Sequence, residues 1–128
     1  SVMRQESAFK PEVMSWAYAY GLMQIIPPTG DEIATRIGYK NFSAPQLKNP
    51  NINVLFGSFY LKHLLETFDH DLIFSIAGYN AGPDAVGRWA KKFGKKEKDE
   101  FVEMIPYNQT KDYVQKVLVN YLVYSRLY

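Results

Sequence analysis

The sequence has 128 residues, 47% hydrophobic and 22% charged, which fits one globular domain with its own core and excludes an intrinsically disordered chain. Its formal net charge of +2 is too small an excess to indicate a nucleic-acid-binding protein. The absence of cysteine excludes disulfides, thiol nucleophiles and cysteine-ligated metals. The two histidines, His63 and His70, have no cluster of other ligands near them in the sequence, so we expect no metal site. No apolar run reaches the length of a transmembrane segment.

Apolar residues recur at three- and four-residue steps along the chain, which is the period of an amphipathic α-helix. No stretch alternates as a β-strand would, so we predict an all-α domain. The predicted helices, in chain order, cover residues 2–7, 29–37, 53–68, 71–79, 84–92, 99–105 and 113–122. Because the first of these begins in mid-pattern at Val2, we expect the molecule to continue upstream of Ser1 with the missing turns of a truncated first helix.

Local signals mark where several of these helices begin and end. Thr29, three residues before Glu32, has the spacing of a capping box and predicts a helix start. Gly38 is the residue type that commonly ends a helix, and Pro83 is one that commonly begins the next. Between the second and third helices, residues 41–51 are polar and include two prolines, which predicts an irregular connection.

Four short blocks of the sequence carry the polar residues that point to a chemistry. They are Arg4-Gln5-Glu6-Ser7, Gly21-Leu22-Met23-Gln24, Ala77-Gly78-Tyr79-Asn80-Ala81-Gly82-Pro83 and Glu103-Met104-Ile105-Pro106-Tyr107. Each block alone is a weak signal. In this order and at these spacings, the four together resemble the soluble lytic transglycosylase family over nearly the whole chain.

The resemblance implies a goose-type lysozyme-like, all-α fold with a substrate cleft. It implies that residues 1–128 form one catalytic domain in the C-terminal part of a longer protein, located in the periplasm or cell envelope of a bacterium. Members of this family act on the glycan strands of peptidoglycan. They cleave the bond between N-acetylmuramic acid and N-acetylglucosamine and leave a 1,6-anhydro ring on the muramic acid. No metal and no organic cofactor enters the reaction.

Glu6 is the residue that the resemblance identifies as catalytic, although on its own it would be read as a solvated carboxylate at a helix end. Breaking a glycosidic bond requires an acid at the leaving oxygen. A glutamate can serve near neutral pH where a poorly solvated site raises its pKa. Once deprotonated, Glu6 can accept a proton from the sugar's own C6 hydroxyl, which then attacks C1. Glu103 is the rival acid, in a position where the family has a structural glutamate.

The resemblance extends to three further residues, and each of them has a structural alternative. Ser15 matches a serine whose hydroxyl reaches the N-acetyl group of the muramic acid, and the alternative is a helix cap. Gln24 matches a glutamine that lines the cleft, and the alternative is a buried amide that holds loops together. Tyr79 matches a tyrosine whose hydroxyl points toward the catalytic glutamate, and the alternative is a residue of the core.

The sequence departs from the family pattern in three places. Residues 16–20 read Trp-Ala-Tyr-Ala-Tyr, where many relatives have a glycine two or three residues before Gly21. Ile26 stands where many members have methionine, and it keeps an apolar wall in the cleft. Gln109 stands where the family often has a glutamate that contacts substrate, and its amide can still form a hydrogen bond but carries no charge. None of these departures removes Glu6.

Two other functions fit the same residues less well. A hydrolytic muramidase or chitinase on the same fold would hold a water molecule opposite Glu6, usually with a second carboxylate. No second acidic residue stands in a motif that forms the cleft. A non-catalytic peptidoglycan-binding module would have no need of Glu6. The sequence therefore favours a lytic transglycosylase.

Overall fold

The computed structural model describes all of residues 1–128, and its regular structure is helical. The seven α-helices, numbered α1 to α7 in chain order, are Val2–Ser7, Pro27–Ile37, Pro50–Thr67, Leu72–Ala81, Pro83–Phe93, Lys98–Met104 and Asn108–Leu127, and a 3₁₀ helix spans Ala44–Lys48. The only β-type pairing consists of two isolated bridges within residues 14–25. The prediction of an all-α chain is therefore confirmed. None of the helices combines the length and the apolar content that a membrane span needs.

The start of α2 differs from the prediction, whereas its end agrees with it. The helix begins at Pro27, with Ile26 as an N-cap that makes no side-chain hydrogen bond, so the capping box predicted at Thr29 is wrong. A proline loses nothing in the first turn of a helix, where its missing N–H would have no partner, and this places the start two residues earlier. Gly38 ends α2 with φ 69°, and its N–H bonds to carbonyls of the last turn, as predicted.

Residues 41–51 are more regular than predicted, because seven of these eleven residues belong to helices. The Ser43 N–H donates to Gln46 Oε1 at 2.9 Å, which supports the first turn of the 3₁₀ helix Ala44–Lys48. The helix α3 then begins at Pro50, three residues before the predicted start, and Asn49 Oδ1 accepts from a backbone N–H of its first turn.

The chain divides into two compact units, residues 2–60 and residues 61–128. In residues 2–60, the core is formed by buried apolar side chains from α2, the 3₁₀ helix and α3, namely Ile33, Leu47 and Phe56. Around Phe56, the ring of Phe42 lies at a centroid distance of 5.2 Å and the ring of Tyr39 at 5.4 Å. Rings at these distances contribute packing energy beyond the area that they bury.

In residues 61–128, α4 packs against both α5 and α7, and α6 packs against α7. Asp71 caps α4 by accepting a hydrogen bond from Phe74 N at 3.0 Å, which satisfies one of the free N–H groups of the first turn. The ring of Phe74 lies edge to face with Phe101 of α6, at a centroid distance of 4.7 Å. Gly78 of α4 leaves room for Phe68, since an added Cβ would lie 3.1 Å from that ring. Pro83 begins α5, as predicted.

Candidate active site

The end of α1 carries Glu6, whose side chain is half-buried. Directly after the helix the chain turns, with Ala8 at φ 51° and Phe9 at φ 65°. The hydroxyl of the buried Ser7 donates a hydrogen bond to the carbonyl of Leu22 at 2.9 Å. This bond ties the helix end that carries Glu6 to the turn of Gly21-Leu22-Met23-Gln24. The first two sequence blocks are thus brought together by Ser7, the last residue of the first block, for which the sequence predicted no role.

The turn from Gly21 to Gln24 is held from the other side by Asn53 of α3. This fully buried side chain accepts a hydrogen bond from Met23 N at 2.7 Å. Its Nδ2 atom donates to the carbonyls of Tyr20, at 2.7 Å, and Leu47, at 2.9 Å. Gly21, at φ 75°, allows this close approach, because a Cβ there would lie 2.6 Å from Asn53 Nδ2. The amide thereby fixes the shape of the turn.

Gln24 performs the loop-holding role that was its structural alternative. Its Nε2 atom donates to the carbonyls of Val13, at 3.1 Å, and Gly21, at 2.9 Å. The backbone of Gln24 adopts φ 48°, which a non-glycine residue rarely does. Because both amide hydrogens are used within the loop, the carbonyl oxygen Oε1 is the atom left to accept a hydrogen bond from a ligand.

Ser15 closes a tight turn formed by residues 15–19. Its N–H donates to the carbonyl of Ala19 at 2.9 Å, and its hydroxyl oxygen accepts from Ala19 N at 3.1 Å. The helix-cap alternative is wrong, because no helix begins after Ser15. The hydroxyl accepts within the turn, so its hydrogen is left to donate to a ligand oxygen.

The tip of this turn is strained and carries two exposed rings. Tyr18 has φ 58°, a conformation that costs an ordinary L-residue about 1 kcal/mol. A glycine at this position would adopt it at no such cost. Tyr18 is 65% exposed and Trp16 is 95% exposed. In the sequence, these residues are notable only because they depart from the family pattern.

A cavity of about 310 Å³ opens on the same loop, lined by residues 11–14, Tyr20, Gly21 and Lys48. Gln24 bonds to the carbonyls of two residues of this lining, Val13 and Gly21, so its amide shapes the cavity wall. Ile26, the apolar residue expected in the cleft, follows the buried Ile25 and is 41% exposed.

Within residues 61–128, the two other predicted site residues lie on different helices. Tyr79 is half-buried on α4, and Gln109 is exposed in the first turn of α7. Their chain neighbours are hydrogen-bonded to each other, since Thr110 Oγ1 donates to Asn80 Oδ1 at 2.7 Å. This bond holds the end of α4 and the start of α7 together, and with them Tyr79 and Gln109.

The rival acid, Glu103, lies at the surface of α6. Its carboxylate is 3.8 Å from Lys111 Nζ and accepts from Gln115 Nε2 at 3.2 Å, both on α7. An exposed carboxylate in an ion pair is not the poorly solvated acid that the reaction needs, so the structural role is the better supported one. Elsewhere in the chain, no three His, Asp or Glu side chains are grouped as metal ligands would be.

Comparison with known proteins shows to which family the chain belongs. The family model described as the transglycosylase SLT domain matches residues 1–102. The chain belongs to this family. The soluble lytic murein transglycosylase of Escherichia coli K12 is 39% identical over 130 residues, which cover 100% of this chain and 20% of that protein. A putative soluble lytic murein transglycosylase of Haemophilus influenzae is 37% identical over 128 residues, which cover 99% of this chain and 22% of that protein.

Solved structures of the same family have the same fold as this SLT domain. The 70 kDa soluble lytic transglycosylase SLT70 of Escherichia coli matches 91% of this chain and 19% of its own, with 39% identity and a TM-score of 0.87. An inactive Glu-to-Gln mutant of the lytic transglycosylase Slt from Pseudomonas aeruginosa matches 98% of this chain and 20% of its own, with 34% identity and a TM-score of 0.87. The expected lysozyme-like helical fold is thereby confirmed. The chain spans about one fifth of the length of the relatives that it matches.

Proposed function

We propose that this chain is the catalytic domain of a lytic transglycosylase that acts on peptidoglycan. The observation that carries the proposal is the match of the whole chain, at 39% identity, to a protein named soluble lytic murein transglycosylase. The structure adds that Ser7 ties the Glu6 end of α1 to the Gly21–Gln24 turn. We place the whole protein in the bacterial cell envelope, where peptidoglycan lies, and expect it to have further domains, as relatives about five times longer do.

Glu6 is proposed as the single acid and base of the reaction. Its carboxyl group donates a proton to the oxygen that joins C1 of N-acetylmuramic acid to N-acetylglucosamine, and the C1–O bond breaks. The resulting carboxylate accepts the proton of the C6 hydroxyl as the C6 oxygen bonds to C1. The reaction consumes no water, and Glu6 returns to its protonated form. The inactive Pseudomonas relative supports this scheme, since replacing one glutamate with glutamine is sufficient to inactivate it.

The remaining site residues are proposed to bind the sugars. The hydroxyl of Ser15 has its hydrogen left for the N-acetyl carbonyl, and Oε1 of Gln24 is left to accept from a sugar hydroxyl or amide. The exposed side chain of Ile26 supplies an apolar wall. The Tyr79 hydroxyl is proposed to orient the reacting groups, and the Gln109 amide to bind substrate without a charge.

The product of the reaction tests the proposed function directly. Incubation of the protein with purified peptidoglycan should release anhydromuropeptides, because the attacking hydroxyl belongs to the substrate. Mass spectrometry distinguishes them from hydrolysis products, which are heavier by one water. Products that carry only reducing muramic ends would show a muramidase on the same fold. The absence of any cleavage would support a non-catalytic module.

Replacement of Tyr79 with phenylalanine should slow turnover by more than tenfold, a loss of about 1.4 kcal/mol or more in transition-state stabilisation. The substitution keeps the ring and removes the hydroxyl that we propose orients the reacting groups. Tyr121→Phe, an exposed position on α7, is the matched control and should turn over as the wild type does. If Tyr79→Phe turns over at the wild-type rate, Tyr79 belongs to the core only.

A further inference from the structure

The turn of residues 15–19 presents two aromatic rings for which the mechanism above has no use. Trp16 is 95% exposed and Tyr18 is 65% exposed. A tryptophan side chain is mostly apolar, and leaving it in water is unfavourable unless something covers it. Tyr18 is held in a left-handed conformation that favours glycine, so the chain keeps a large ring where a small residue would relieve strain. The exposure of Trp16 and the strain at Tyr18 are both explained if the two rings bind a ligand.

We propose that Trp16 and Tyr18 form a platform on which a sugar ring of the glycan strand stacks, as an additional subsite next to Ser15. The proposal rests on the proposed function, because it takes peptidoglycan strands as the substrate. A pyranose ring has an apolar face of C–H groups and a rim of hydroxyls. It therefore matches a flat aromatic ring that carries a polar tip, as Trp and Tyr do.

The turn is built to hold these rings in place before a ligand arrives. It is closed by three hydrogen bonds: Ser15 N to the Ala19 carbonyl at 2.9 Å, Tyr18 N to the Ser15 carbonyl at 3.0 Å, and Ala19 N to Ser15 Oγ at 3.1 Å. An isolated antiparallel bridge between Met14 and Tyr20 flanks it. Because the turn is already ordered, it loses little conformational entropy when a ligand binds. This favours the binding of a sugar, which gains only a small free energy from stacking on a flat ring.

The composition of the turn favours a neutral sugar over a membrane. Residues 15–20 contain no charged side chain, whereas segments that bind anionic lipid surfaces combine their aromatic rings with lysine or arginine. The small side chains of Ala17 and Ala19 alternate with the rings and leave space beside them. The platform is also continuous in the chain with Ser15, which we propose contacts the muramic N-acetyl group.

Trp16→Ala should raise the concentration of peptide-free glycan strands that gives half-maximal rate by roughly tenfold, equivalent to about 1.4 kcal/mol of binding. The maximal rate should stay close to that of the wild type, because the residue does not take part in the chemistry. Trp16→Phe retains a flat ring and should recover most of the loss. Tyr128→Ala is the matched control, since Tyr128 is equally exposed but lies on the other unit, and it should bind as the wild type does.

Tryptophan fluorescence gives a readout that does not depend on catalysis. Of the two tryptophans, Trp89 is buried, so quenching by acrylamide reports mainly on Trp16. Peptide-free strands added to the Glu6→Gln protein should protect this fluorescence from quenching. Tyr18→Gly should weaken strand binding while its melting temperature stays at or above that of the wild type, because the strained residue is gone. A purely structural Tyr18 would instead lower the melting temperature.

Two outcomes would overturn the platform. One is an unchanged half-saturating concentration in Trp16→Ala together with quenching that strands do not affect. The other is protection of Trp16 by phosphatidylglycerol vesicles but not by glycan strands, which would assign the rings to a lipid surface. Failure of the proposed function is a different result, namely a wild-type protein that releases no anhydromuropeptides but still binds strands through Trp16.

Discussion

Glu6→Gln is expected to lower the release of anhydromuropeptides by roughly 10⁴-fold, the upper end of what general acid–base catalysis contributes. Glutamine has nearly the size and hydrogen-bonding shape of the glutamic acid. Its amide N–H groups are too weakly acidic to protonate the leaving oxygen, and the amide is too weak a base to accept a proton from the C6 hydroxyl. Both steps of the proposed mechanism use this one side chain, so both should fail together.

The Glu6→Gln protein should still bind peptidoglycan, because a neutral amide replaces a carboxyl group that must itself be neutral to act as the acid. The test therefore pairs the release of anhydromuropeptides with a pull-down on insoluble peptidoglycan. Glu103→Gln is the matched control, since it removes an exposed, ion-paired glutamate, and it should retain near wild-type activity. A Glu6→Gln protein that cleaves at a near wild-type rate would refute the assignment, and a loss of activity in Glu103→Gln would then make Glu103 the acid.

The parts of the fold that the sequence predicted correctly depend on only a few neighbouring residues. The end of α2 at Gly38 and the start of α5 at Pro83 follow from backbone conformations that these residue types favour by themselves. The start of α7 does not follow from local residue types. It was predicted only from residue 113, where apolar periodicity begins, but the helix starts at Asn108. Its polar first turn is held by the bond from Thr110 to Asn80, thirty residues away.

The candidate site likewise combines residues that the sequence predicted with residues whose roles depend on distant contacts. The resemblance assigned roles to Glu6 and Gln24, but it gave none to Ser7, which was only part of the first block, and it did not include Asn53. Ser7 bonds to a carbonyl 15 residues further along the chain, and Asn53 bonds to a backbone N–H 30 residues before it. Their partners are backbone atoms of a loop, and side-chain type carries no information about where those atoms lie. Asn53 is also set among the apolar residues of α3, where periodicity predicts core packing alone.

Asn53→Ala should lower the free energy of unfolding by roughly 3 kcal/mol or more, because each buried polar group left without a partner costs about 1–3 kcal/mol. Two backbone groups, the Met23 N–H and the Leu47 carbonyl, lose the buried hydrogen bond that this amide provides. The Tyr20 carbonyl loses one bond but still accepts from Ile25 N at 3.1 Å. The loss is a large share of the 5–15 kcal/mol that is typical of a folded protein. Urea unfolding measures it. Activity should also fall, since the freed turn carries Gln24.

Asn51→Ala is the matched control, because it removes the same residue type from the same helix at an exposed position, and its effect should stay within about 0.5 kcal/mol. Asn53→Asp keeps the acceptor for Met23 N but sets a second oxygen against the carbonyls of Tyr20 and Leu47. It should therefore rescue little of the loss. If Asn53→Ala unfolds within about 1 kcal/mol of the wild type, less than the cost of one buried unpaired group, the turn keeps its shape without this amide. Ser7 and Gln24 would then be the residues that hold the turn beside Glu6.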